Sequence, residues 1–123
     1  MISTMFQVAL GGAIGAAARF GLGVALMRPG GFPIGVLSAN VIGSFLMGLL
    51  VVYLGQRMLG DWTPFLLTGV LGGFTTFSAF SLEAFTLFER GAVGQAALYV
   101  GLSVGLSLAA LVAGAFLMRA ILA

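Results

Sequence analysis

The chain has 123 residues and a mass of 12.5 kDa, with 61% hydrophobic residues, 7% charged residues, a net charge of +2 and a mean hydropathy of +1.22. Soluble domains average about 25% charged residues. A soluble fold of this size would lack the polar side chains to cover its surface, which excludes a soluble enzyme, a nucleic-acid-binding protein and a disordered chain. Cys and His are absent, so disulfides, thiol chemistry and His- or Cys-ligated metals are excluded as well.

A bilayer span needs about 20 apolar residues, and the chain has room for four with short connections. The first span is expected over 4–27. Its apolar run has no basic residue before it and is interrupted by Gly and Arg, so it reads as a span rather than a signal peptide. Arg28, Pro29, Gly30, Gly31 and Pro33 predict a short turn. The second span is expected over 34–54, followed by the connection GQRMLGD at 55–61. A third apolar region covers 62–88, and Glu89, Arg90, Gly91 and Gly94 form the last connection. The fourth span is expected over 95–118 with Arg119 at its end. The whole chain, 1–123, then forms one all-α membrane domain of four transmembrane helices. Glycine is abundant, at 20 residues, which in a membrane chain points to closely packed helices. Gly11 with Gly15, and Gly101 with Gly105, are GxxxG steps that predict packing faces.

Loop arginines orient a membrane protein. Here Arg28 and Arg90 fall on one side, and Arg57 and Arg119 on the other. The bias is close to nil. Such a chain can insert both ways and pair with an opposed copy about a two-fold axis in the membrane plane; a single Arg or the N-terminal amine deciding the orientation is the other reading.

Polar groups in hydrocarbon need a partner or a task. Arg19, inside the first span, either snorkels or meets a carboxylate or carbonyl, or places positive charge at the mouth of an anion path. Asn40, in the second span, either donates to an anion or bonds across helices. Gln95, Tyr99, Ser103 and Ser107 recur every four residues in the fourth span and so share one helical face. That stripe reads as the wall of a wet path or as interhelical hydrogen bonding.

The strongest local signal is GVLGGFTTFSAFSLE at 69–83. Adjacent glycines followed by Thr75 and Thr76 disfavour a continuous helix, so the third span is expected to break mid-membrane. Backbone groups freed at such depth must be satisfied by protein, water or an ion, and broken-helix ends recur as ion sites. Thr76, Ser78 and Ser81 add hydroxyls there. Glu83 follows, with Arg19 a candidate partner. Phe77 and Phe80 share a face, and their positive ring edges suit a small anion.

With GGAIGAAARF at 11–20, NVIGSFLMG at 40–48 and the spaced Tyr99, Ser103 and Ser107, that motif makes the chain resemble the small bacterial fluoride channels, the Fluc or CrcB-like family, over essentially its whole length. The resemblance implies an antiparallel, dual-topology homodimer in the bacterial inner membrane, with two narrow pores that export fluoride passively and confer fluoride resistance. It implies pore-lining roles for Asn40, Thr76, Phe77, Ser78, Phe80, Tyr99, Ser103 and Ser107. It places Arg19 near the vestibule, with Glu83 as a further charge. It also implies a structural sodium ion, Na+, at the dimer centre, held by backbone carbonyls of Gly72 and Thr75 from each subunit. Ala79 departs from the family, where Thr is frequent.

Two other readings belong to different classes. A small proton-coupled multidrug exporter needs a carboxylate in its first helix, and this first span has neither Asp nor Glu. A non-transporting membrane assembly subunit needs no mid-membrane break and no polar stripe. Enzyme chemistry lacks a general-base constellation, because the only acids are Asp61, Glu83 and Glu89 and no His, Cys or Lys accompanies them.

Overall fold

The computed structural model describes residues 1–27 and 31–123. The turn expected at Arg28, Pro29 and Gly30 lies outside the described residues. Every regular element among them is helical: α1 (Ile2–Ala25), α2 (Ile34–Gln56), a 3-10 turn (Gly60–Trp62), a π-helix (Pro64–Leu71), α3 (Gly72–Phe74), α4 (Phe77–Glu89) and α5 (Val93–Leu122). Four stretches are long and apolar enough to cross a bilayer, the third being the composite 60–89. This is a multi-pass membrane protein. In hydrocarbon no water is present to satisfy the backbone, so helices that pair their own amides are the available solution. Their outer surfaces carry exposed Phe6, Leu10, Phe20, Val51, Phe85, Leu108 and Phe116, a surface suited to lipid rather than water. At 30 residues, α5 is about 45 Å long and exceeds the ~30 Å hydrocarbon core.

The helices meet where side chains are smallest. Gly11 and Gly15 are buried on α1, and a Cβ at Gly15 would run into the Val70 carbonyl. The α1 face therefore lies backbone-to-backbone against the π-helix and α3. On the other side α2 and α5 interlock through Gly48, which faces the Leu111 carbonyl, and Gly114, which faces the Phe45 carbonyl. The Gly101–Gly105 step does not pack within the chain: a Cβ at either position meets nothing within 4 Å. Gly114, one helical stretch further on, supplies the contact instead.

Two apolar clusters flank the break. Leu54, Leu67 and Leu71 join α2 to the π-helix. Phe80, Leu87, Ala96 and Tyr99 join α4 to α5, with Phe32, Val36 and Leu37 packed against them. Gly91, at φ 81°, closes the α4–α5 turn in the left-handed region that glycine occupies without strain. The third span is thus packed against its neighbours on both sides of its interruption.

Candidate ion pathway

The third span runs as a π-helix from Pro64, gains one α turn at Gly72–Phe74, and then loses helical geometry. Thr75 lies at φ −90°, ψ 157° and Thr76 at φ −154°, ψ 126°, both extended. Helix resumes at Phe77. Side chains satisfy much of what the interruption releases. Thr75 donates from its N–H and its Oγ1 to the Leu71 carbonyl, at 3.0 and 2.9 Å. The Thr76 N–H donates to Asn40 Oδ1 at 2.7 Å, and Asn40 Nδ2 donates to the Thr76 carbonyl at 3.0 Å. The Asn40 carboxamide thus pairs with an extended residue as a neighbouring strand would. The Thr76 Oγ1 accepts from the Ala79 N–H at 3.1 Å, capping α4. Arg19 Nε donates to the Gly73 carbonyl at 3.2 Å. Arg19 thus meets a backbone carbonyl, one of the contacts its place in the span left open, and forms no ion pair with Glu83 among the described residues.

Beside the break lies an open cavity of about 400 Å³, lined by Asn40, Thr75, Thr76, Phe77, Phe80, Ser103 and Ser107 among others. It brings together residues of α2, α4, α5 and the extended segment. Phe77 and Phe80 touch with ring centroids 5.4 Å apart and planes tilted by 54°. Their surroundings differ sharply: Phe77 is 76% exposed and Phe80 8%. Phe80 in turn lies 5.4 Å from the Tyr99 ring, and the Phe32 ring meets Tyr99 edge-on at 5.6 Å.

Three hydroxyls of α5 are set apart by their surroundings. Tyr99 Oη, Ser103 Oγ and Ser107 Oγ are buried, and none makes a hydrogen bond of good geometry among the described residues, the Tyr99 and Ser103 hydroxyls being each other's neighbours. They lie one turn apart on one face of α5; Ser103 and Ser107 line the cavity, while Tyr99 packs against Phe80 and Phe32 beside it. An unsatisfied buried hydroxyl costs roughly 1–3 kcal/mol, so three in register need a reason. Gln95, the first residue of the same stripe, is exposed at the end of α5 and stands apart from them.

Those three hydroxyls, the break and the paired phenylalanines come from segments that one family pattern spans: residues 6–115 match the model described as CrcB-like protein, Camphor Resistance (CrcB). The chain belongs to the CrcB-like family. It is 60% identical to a protein of Ruegeria sp. strain TM1040 over 99% of both chains, and 63% identical to one of Cereibacter sphaeroides over 93% of both. A relative from Roseobacter denitrificans is 53% identical over 98% of both chains. Each of the three is named a fluoride-specific ion channel.

Within this CrcB-like chain the remaining expected residues divide. Ser78 sits at the first turn of α4, its Oγ 3.3 Å from Thr76 Oγ1. Ser81 donates to the Phe77 carbonyl at 2.9 Å, within its own helix. Glu83 lies away from the main cavity, in a second one of about 270 Å³ with Gly31, Pro33, Thr86 and Arg90. Gly72 is exposed and Thr75 half-buried at the end of the first half-span. Sequence reasoning missed the role of Tyr99 as a packed ring, fully buried between Phe32 and Phe80; its only signal was the four-residue spacing with Ser103.

Proposed function

We propose that the chain is a passive, fluoride-selective channel of the bacterial inner membrane, a channel and not an enzyme. The observation that carries this reading is the file of unpartnered buried hydroxyls, Tyr99, Ser103 and Ser107, beside the Phe80 ring. Fluoride is small and holds its water tightly. A pathway for it must replace that water with closely spaced donors while avoiding a full positive charge that would trap it. Hydroxyl donors and positive ring edges meet both demands. Larger halides, with weaker donor contacts and greater size, pass poorly. The names of the relatives agree with the reading.

The functional unit is an antiparallel homodimer with two pores, each drawing on both subunits. Support comes from Phe77, whose ring is 76% exposed on the open side of the cavity, and from the near-equal distribution of loop arginines. A structural sodium ion at the dimer centre completes the reading. The donor set fits: Gly72 and Thr75 stand where the helix stops, their carbonyls are hard oxygen ligands, and an in-plane two-fold supplies four of them. Thr75 Oγ1 is spent on Leu71, which leaves its carbonyl as the ligand. Such an ion would tie the two interrupted segments together.

Liposomes loaded with fluoride and containing the purified protein test the function. Rapid fluoride release without a proton gradient, and no chloride release in the matched control, is the expected result. No fluoride release from folded dimer in sodium buffer overturns it.

A further inference from the structure

We propose that Asn40 is a positioning residue for the cation site, acting through the backbone of Thr76 to release the two carbonyls that would hold the ion. The inference rests on the sodium reading above. In a continuous α-helix the N–H of residue i donates to the carbonyl of residue i−4. The Thr76 N–H would then be spent on the Gly72 carbonyl. Here it donates to Asn40 Oδ1 instead. By the same rule the Ala79 N–H would be spent on the Thr75 carbonyl, and here it donates to Thr76 Oγ1. The two diverted donors are those of Gly72 and Thr75, and both diversions depend on Thr76 being extended. Asn40 holds it so from both ends of the residue, accepting from its N–H and donating to its carbonyl. The neighbouring Gly73 carbonyl is taken by Arg19, so the interruption does not leave every carbonyl equally free.

Asn40 also lines the cavity with Phe77 and Ser103. One side chain thereby joins the wall of the anion path to the backbone that would hold the cation. Loss of its acceptor lets the Thr76 N–H turn back toward Gly72, and the carbonyl pair is no longer presented together.

The test uses purified dimer in fluoride-free buffer, so conduction does not enter. The thermal midpoint is followed while sodium replaces N-methylglucamine, and amide hydrogen exchange is read over residues 74–80. Wild-type protein is expected to gain stability with sodium. Asn40→Ala is expected to raise the half-effective sodium concentration about tenfold, the change that loss of roughly one hydrogen bond to a ligand-bearing segment brings, and to speed exchange at Thr76 while α1 and α5 stay protected. Asn40→Asp keeps an acceptor for the Thr76 N–H but loses the donor to the Thr76 carbonyl, and is expected to give a sodium response between those of wild type and Asn40→Ala. Should Asn40→Ala fail to fold, Thr76→Val decides: it removes the cap on Ala79 and is expected to weaken sodium in the same sense. A sodium response equal to wild type in Asn40→Ala, or in Thr76→Val where Asn40→Ala does not fold, overturns the inference while leaving the sodium reading intact. No sodium response in wild-type protein overturns both.

Discussion

The Arg19 side chain and the Gly73 carbonyl are 54 residues apart in the chain and 3.2 Å apart in space. The contact continues the line of α1 that begins at Gly11 and Gly15. Small residues let α1 approach the third span, and one turn later an arginine reaches the end of the half-helix that this approach has brought close. The C-terminal end of a helix carries partial negative charge, so a cation there is favourably placed.

Arg19→Ala is therefore expected to destabilise the folded chain by about 1–2 kcal/mol, the lower part of the range for hydrogen bonds from charged donors, because the group is half-buried. Arg19→Lys restores the charge but not the planar Nε–H, and should recover only part of the loss. Thermal unfolding in detergent measures both. An unchanged midpoint for Arg19→Ala would show that the carbonyl finds an equivalent donor without it.

Ser103 yields a less common expectation. It is 6% exposed, and its hydroxyl makes no hydrogen bond of good geometry among the described residues. Replacing a buried, unsatisfied hydroxyl by a methyl removes a penalty rather than a bond. Ser103→Ala should thus leave stability equal or higher while slowing fluoride flux at least tenfold. Ser107→Ala should act in the same direction. A fall in both stability and flux would mean that the hydroxyl was bonded within the protein, and the file of donors along α5 would lose its central member.

Much of this architecture can be read from residue order alone. Four apolar runs separated by Gly-, Pro- and Arg-bearing turns define four spans, because hydrocarbon demands about 20 apolar residues for each. Two glycines followed by two threonines mark the interruption, because both residue types weaken helix for local reasons. The four-residue spacing of Tyr99, Ser103 and Ser107 places them on one face. What stayed hidden depends on how the helices sit along one another. Nothing local distinguishes Gly101–Gly105, which packs on nothing within the chain, from Gly11–Gly15, which lies against the π-helix backbone. Nor does the sequence say that Arg19 meets Gly73 rather than Glu83, or that both ends of the Asn40 carboxamide are committed to Thr76. The widened winding of Pro64–Leu71 has no sequence mark beyond the proline that opens it.

The glycine contrast can be measured directly. Gly48→Ala would push a methyl into the Leu111 carbonyl and should prevent close α2–α5 packing, with loss of folded protein on size-exclusion chromatography. Gly101→Ala meets no neighbour in the chain and should fold with a gain in helix propensity of the order of 1 kcal/mol or less. A destabilised Gly101→Ala dimer beside normally folded helices would locate position 101 at a contact between subunits.

The two phenylalanines separate stability from conduction. Phe80 is buried among Leu87, Ala96 and Tyr99, so Phe80→Ile removes an aromatic ring from a packed cluster and should lower stability by about 1–2 kcal/mol in addition to any effect on flux. Phe77 is mostly exposed from its own chain, and Phe77→Ile should change the stability of a single chain by less than about 0.5 kcal/mol. Both should slow fluoride efflux tenfold or more, because isoleucine offers no positive ring edge to an anion. Efflux measured in liposomes, beside thermal midpoints in detergent, distinguishes the contributions. Wild-type efflux from Phe77→Ile would remove the ring-edge mechanism for that residue. A stable Phe77→Ile protein that no longer passes fluoride would place the ring in the path of the ion.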